Sequence, residues 1–306
     1  MASVPALPSA VPRGAAAIMA GMFLLGFTDN LVRLISTDIG LWQFHFLRSL
    51  MALPMIGLAA LALGLSLAPI RRWRFALRCA VQAAAMLVYF GAIGFMPLTQ
   101  VVAGFFTAPL FVLLYTTVWF RTRIGPRRIA AVGLGFLGTL IMLRPDPSDL
   151  QLATFVPVLA GALWGLSNVL TREWCANEPM AALVAGFFVA LGIAGAVMCL
   201  ILSAGPPPGT VDFLTRPWAA PTAPVLFWVA VQAVGSLAAM GCLTLGYQSG
   251  ETSSLTVYEY FLLISASFWG GVLWGESVQA AGWLAIALII ASGVLIARSS
   301  TAPRAG

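Results

Sequence analysis

Arg71-Arg72-Trp73-Arg74-Phe75-Ala76-Leu77-Arg78 places four arginines in one gap between hydrophobic stretches. Two apolar stretches later, Arg121-Thr122-Arg123-Ile124-Gly125-Pro126-Arg127-Arg128 does the same. The gaps between and beside these clusters hold one arginine or none. Basic residues flanking an apolar helix resist translocation, so alternating rich and poor gaps fix the orientation of a chain in a membrane. All 16 basic residues are arginine and the chain has no lysine.

The composition agrees with a membrane solvent. Hydrophobic residues make up 60% of the 306, charged residues only 8%, and the mean hydropathy is +0.96. A soluble domain carries roughly 25% charged residues. The net charge of +6 does not point to nucleic acid, because the arginines stand beside apolar spans rather than on a soluble face. The four cysteines Cys79, Cys175, Cys199 and Cys242 and the single His45 form no ligand cluster. No metal and no cofactor is expected from them.

A hydrocarbon core about 30 Å thick needs roughly 20 apolar residues per helix. Ten segments meet this: 15–35, 42–65, 77–96, 99–119, 128–143, 152–171, 180–203, 223–247, 254–274 and 279–297. The expected fold is therefore an all-α integral membrane protein with ten transmembrane helices and no soluble domain. The 1–14 stretch reads as a cytoplasmic tail before a retained first helix, and 299–306 as a second tail. With the N-terminus inside, Arg13, both clusters, Arg172, Arg298 and Arg304 are cytoplasmic, twelve in all. Arg33, Arg144 and Arg216 face outward, and Arg48 falls within a span. Both termini are thus expected on the cytoplasmic side of a bacterial inner membrane.

The chain also repeats itself. Leu25-Gly26-Phe27-Thr28-Asp29 in the first span echoes Trp164-Gly165-Leu166-Ser167-Asn168 in the sixth, and Arg33 aligns with Arg172. Trp119, Arg121 and Gly138 align with Trp274, Glu276 and Gly293. Five helices per half is an odd number, so the second half must lie upside down relative to the first. Two inverted repeats, 15–148 and 149–298, are the architecture of many secondary transporters.

Phe46-Leu47-Arg48 early in the second span, Glu259-Tyr260 in the ninth, and Leu273-Trp274-Gly275-Glu276 after it complete a pattern. With ten spans in two halves, it resembles the drug/metabolite transporter superfamily, in its EamA-type ten-helix branch. Arg121 departs from it, standing where a glutamate like Glu276 is expected. The resemblance implies a secondary transporter of a small organic metabolite, with export of an amino acid or related compound favoured. The alternative it implies is an importer of a cofactor-like metabolite such as riboflavin or S-adenosylmethionine. The expected partners are a small-molecule cargo and the lipid bilayer, with no nucleic acid, and the protein is a monomer or a homodimer.

Polar residues inside spans are costly and mark function by default. Asp29 and Asn30 lie about 9 Å inward from Ile35, at 1.5 Å per residue. Arg48 lies at much the same depth on the adjacent span, so an acid and a base are placed to pair as a gate or cargo site. A static strut between them is the alternative. His45 shares the face of Arg48 and is read as an interfacial anchor. Glu259, flanked by Tyr258 and Tyr260, has no arginine near it in sequence. It is a candidate for proton coupling, as is Asp29. Trp164 and Asn168 are the polar pair that matches Asp29 through the repeat. Tyr89, Gln82, Gln100, Tyr115, Gln232 and Tyr247 are further candidates for lining a semi-polar cavity, and Tyr89 is taken with Tyr258 into the expected binding or gating set. Pro97 and Pro109 mark a hinge or a static kink in the fourth span.

Without lysine there is no Walker-type phosphate-binding lysine and no Schiff base. HExxH and GxSxG are missing as well. The chain is not expected to be an enzyme, and an intramembrane enzyme or a channel remains the remote alternative.

Overall fold

The computed structural model describes residues 10–93, 98–121, 123–143, 155–205, 212–275 and 279–300. Pro97, Arg144, Glu276 and Arg304 lie outside them, as do most of the 1–14 tail, residues 144–154, the 301–306 end and the side chains of Gln100 and Arg298.

All regular structure among the described residues is helical, and it falls into ten spans. The first three are α1 (Ala10–Ile35), α2 (Leu41–Leu63) and α3 (Arg72–Ile93). The fourth is broken into α4 (Leu98–Phe105) and α5 (Ala108–Val118), and α6 (Pro126–Leu143) is the fifth. Then come α7 (Val156–Glu173), α8 (Met180–Ala204) and α9 (Ala223–Ser249). The ninth span is composite: α10 (Thr252–Leu255), a 3₁₀ segment (Thr256–Tyr260) and α11 (Phe261–Trp274). The last is α12 (Ala280–Ser300). Among the described residues, six spans, the first three and the seventh to ninth, have the full length and hydropathy to cross a membrane.

The break in span four has a covalent cause. Pro109 has no N–H to offer the carbonyl of Phe105, so the helical ladder is interrupted there. Thr107 Oγ1 closes the gap by donating to the Gly104 carbonyl at 2.6 Å. The freed Phe105 carbonyl faces α7 so closely that a Cβ on Gly161 would lie 2.6 Å from it. The expected kink is present, and it is packed against a neighbouring helix.

Exchanging each span for the one five later preserves the principal packing contacts. The first span packs on the eighth and ninth through α9 and α11, and the sixth packs on the third and fourth through α3, α4 and α5. Spans two and seven pack together through α2 and α8, and spans five and ten through α6 and α12. The echoed residues occupy equivalent places. A Cβ on Gly26 would meet Ser265 and Ala266 of α11, and one on Gly165 would meet Ala108 and Val112 of α5. Both glycines thus mark a close helix approach of the kind small residues permit. Thr28 Oγ1 donates to the Leu25 carbonyl at 3.2 Å and Ser167 Oγ to the Trp164 carbonyl at 2.9 Å. The two broken spans, four and nine, also correspond.

The outside of the bundle is apolar: Leu58, Leu61, Ile193, Leu200, Phe227 and Trp283 are all exposed. Such an exterior suits hydrocarbon rather than water. Polar contacts join the halves at both ends of the bundle. At the arginine-rich end, Glu178 between α7 and α8 accepts from the backbone N–H groups of Ile70 and Arg71, both at 2.7 Å. Arg128 pairs with Glu251 at the same end. At the opposite end, Gln43 exchanges two hydrogen bonds with the backbone of Ala219, at 2.6 and 3.0 Å.

Arg78 departs from its cluster. It is buried one turn and a half into α3, with Nε donating to Thr171 Oγ1 at 2.8 Å and Nη1 to the Leu183 carbonyl at 3.4 Å. Its neighbours in sequence mark a helix end, but Arg78 itself ties span three to spans six and seven.

Candidate substrate cavity

Between the halves lies a narrow cavity with about 30 Å³ of water-accessible space. Eight helices contribute to it, and each delivers side chains at helical spacing. From α1 come Met22, Leu25 and Asp29, at i, i+3 and i+7 on one face. From α9 come Gln232, Ser236 and Met240, four residues apart. Arg48 enters from α2, Tyr89 from α3 and Trp164 from α7. The remaining wall is apolar, with Met86, Phe90, Phe105, Phe187 and Leu262.

Arg48 is 3% exposed and firmly held. Its guanidinium carbon lies 5.1 Å from the centre of the Phe44 ring and 5.7 Å from that of Phe188. Nη2 is 3.1 Å from Nδ1 of His45, and Nη1 donates to Gln232 Oε1 at 3.5 Å. Nε has no hydrogen-bond partner among the described residues. His45 is fully buried between the rings of Phe44 and Phe90. It is not an interfacial anchor. It orients Arg48, because three residues along a helix bring two side chains together.

Asp29 lines the same cavity, half-buried. No ion pair joins it to Arg48 among the described residues. The cavity thus carries one acidic and one basic side chain. Asn30 points elsewhere, donating to the carbonyls of Gly26 at 2.7 Å and Ala266 at 3.4 Å. One residue along a helix turns a side chain by about 100°, and Asn30 thereby fastens α1 to α11.

Behind the cavity wall sits Glu259. Its Oε1 accepts from Trp164 Nε1 at 2.9 Å and from Asn168 Nδ2 at 2.8 Å. The hydroxyls of Tyr247 and Thr256 stand beside the same carboxyl group. The residue is 2% exposed and lies in the 3₁₀ segment of span nine, whose tighter winding redirects successive side chains. Tyr258 and Tyr260 consequently turn away from the cavity. Tyr258 lies against α12 at Gly293, and the hydroxyl of Tyr260 donates to the Val132 carbonyl of α6 at 3.3 Å.

The structure thus brings together Asp29, Arg48, Tyr89 and Trp164 in one cavity, with Asn168 and Glu259 directly behind Trp164. It separates Asn30 and Tyr258 from it. Gln232 takes its expected lining place, whereas Gln82 donates to Met240 Sδ at 3.9 Å behind the wall. The sequence reading missed Ser236 and the three methionines. Four-residue spacing from Gln232 through Ser236 to Met240 was the available signal. Thioether and aromatic walls with a few fixed polar groups suit a flat cargo of mixed polarity.

The EamA-like transporter family model matches residues 12–144. A riboflavin transporter of Rhizobium johnstonii is 27% identical over 267 residues, covering 86% of this chain and 82% of the relative. A riboflavin transporter of Brucella anthropi is 26% identical over 227 residues, covering 74% and 76%. One of Vibrio cholerae serotype O1 is 23% identical over 208 residues, covering 67% and 64%. A crystal structure superposes with a TM-score of 0.78 at 19% identity, covering 96% of this chain and 99% of that one. That similarity shows the fold.

Proposed function

The chain belongs to the EamA-like transporter family, and from that premise we propose that it carries riboflavin or a closely similar flavin across the inner membrane. The observation that carries this reading is the cavity. Its walls of methionine and aromatic side chains, with Arg48, Gln232, Ser236 and Asp29 as fixed polar points, complement a flat ring bearing carbonyls and a hydroxylated chain. The printed names of the three relatives support the same cargo class. The amino-acid export favoured by the sequence gives way to its cofactor-like alternative.

Transport proceeds by alternating access, with the halves 15–148 and 149–298 as the moving units. The polar contacts at the two ends of the bundle serve as alternate closures. Both termini are cytoplasmic in this reading, because the described members of both arginine clusters lie at one end. Glu259 and Asp29 are the proposed proton carriers. One lines the cavity and the other is bonded to its wall.

Proteoliposomes loaded with unlabelled riboflavin provide the test. External labelled riboflavin should enter, accelerated by the internal pool, while a panel of amino acids neither moves nor competes. Absence of riboflavin flux together with exchange of an amino acid would overturn the proposal. One observation favours that second reading, since Asp29 and Arg48 in one cavity match the ammonium and carboxylate of a zwitterion. The parallel panel decides between them.

A further inference from the structure

Resting on the flavin reading, we infer that Arg48 and Gln232 form a donor–acceptor–donor edge that selects the imide edge of the cargo's pyrimidinedione ring. The order of atoms follows from one contact. A guanidinium has donors and no acceptor, so the amide atom of Gln232 that faces Arg48 Nη1 at 3.5 Å is its oxygen, Oε1. The amide nitrogen Nε2 then lies on the far side of that oxygen. Read along the wall, the sequence is Arg48 N–H, Gln232 C=O, Gln232 N–H.

An imide presents the opposite order: carbonyl, N–H, carbonyl. Arg48 donates to the first carbonyl, Gln232 Oε1 accepts the imide N–H, and Gln232 Nε2 donates to the second carbonyl. The 3.5 Å separation between Arg48 and Gln232 is long for an N–H···O bond, so cargo displaces a weak contact rather than a strong one. Gln232 Nε2 has no partner among the described residues, and neither has Arg48 Nε. Both residues line the cavity while nearly fully buried. Free donors in such a place penalise any ring that leaves them unpaired.

Rigidity is what turns this pair into a selector. Arg48 is fixed between Phe44 and Phe188 and by His45, so its donors do not swing to follow a mismatched ring. A carboxylate or phosphate would engage Arg48 alone and share the cavity with Asp29. The neutral imide satisfies the whole edge.

Binding of riboflavin and of N3-methylriboflavin to the purified full-length protein, measured by equilibrium dialysis, tests the assignment. Methylation removes the one donor of the imide edge. The wild type should bind the methylated compound about tenfold or more weakly, the equivalent of one buried unsatisfied group. In Gln232→Met, of similar volume, that preference should collapse to near unity while riboflavin itself binds less tightly. Equal wild-type affinity for both compounds overturns the edge assignment and leaves the flavin reading intact, and it needs no variant to fold. A preference that persists undiminished in Gln232→Met also overturns it. No flux of riboflavin and no affinity for it overturns the flavin reading, and the edge assignment with it.

Discussion

Trp164 lines the cavity with its side chain and donates its indole N–H to Glu259 Oε1 at 2.9 Å. A buried carboxyl group is thereby bonded to the surface on which cargo rests. Whatever displaces the indole alters a hydrogen bond of Glu259, and whatever alters Glu259 is felt at the cavity wall.

Trp164→Phe keeps an aromatic ring and removes the donor. Loss of a buried hydrogen bond to a carboxyl group should destabilise the protein by about 1.5–3 kcal/mol. Glu259→Gln changes the acceptor. Because the two residues share one bond, their effects should fall short of additive by about 1 kcal/mol in a double-mutant cycle of thermal unfolding in detergent. Strict additivity would show that the bond contributes nothing. If flux is proton-coupled through Glu259, Glu259→Gln should also flatten its dependence on a pH gradient.

The two ends of the bundle make a separate pair. Glu178 holds the N–H groups of Ile70 and Arg71 at the arginine-rich end, and Gln43 holds the backbone of Ala219 at the other. Each contact joins one half of the chain to the other, so each closes its own end. Glu178→Ala and Gln43→Ala should shift the conformational equilibrium in opposite directions, each by about tenfold for a loss near 1.4 kcal/mol. A single cysteine placed at Ser236, in a cysteine-free background, reports the shift by thiol labelling from each side. Shifts in the same direction would remove both contacts from any gating role.

The spans were legible because a hydrocarbon core asks for about 20 apolar residues per helix, and the two arginine clusters mark helix ends. The depth of Asp29 and Arg48 was legible from residue counts for the same reason. Facing direction was not. Asn30 borrowed significance from Asp29 beside it, yet a turn of 100° sends it to α11. Tyr258 borrowed it from Glu259, but the 3₁₀ segment directs the tyrosine to Gly293. Arg78 was hidden by its cluster, and its burial depends on Thr171 and Leu183, 93 and 105 positions away. His45 was misplaced similarly, because the rings of Phe44 and Phe90 that enclose it come from two helices.

Close helix approach gives a third expectation. A methyl group on Gly26 would meet the Ser265 hydroxyl and come within 2.8 Å of the Ala266 backbone nitrogen. On Gly165 it would come within 2.8 Å of the Ala108 carbonyl. Backbone does not yield cheaply, so Gly26→Ala and Gly165→Ala should each cost about 1–3 kcal/mol. Gly57→Ala is the contrast, since nothing lies within 4 Å of that site and helix propensity favours alanine. Melting temperatures of the three variants in detergent check the order. An unperturbed Gly26→Ala would mean that α1 and α11 are less closely packed than the structure has them.

Asp212 supplies the pH-dependent case outside the membrane. Its Oδ1 accepts from the backbone N–H groups of Leu214 and Thr215, both at 2.8 Å, and from Thr215 Oγ1 at 2.9 Å. This turn presents the carbonyls of Phe213 and Leu214 to Leu41 N and Trp42 Nε1 at the start of α2. Partial burial pushes the carboxyl up, but the hydrogen bonds from Thr215 and Leu214 together outweigh it and hold the group below its ordinary 3.8. A carboxyl lowered in the folded state stabilises fully above its unfolded value, and that contribution fades as pH falls through the lowered folded value. Between about pH 5 and 8 the turn is therefore constant. Asp212→Asn keeps an acceptor oxygen and should leave the pH profile of transport unchanged across that window, whereas Asp212→Ala should loosen the 212–222 segment and raise its susceptibility to protease at every pH. A changed profile in Asp212→Asn would place a titrating element of transport in this turn; an unchanged one means that any pH dependence in the window arises elsewhere.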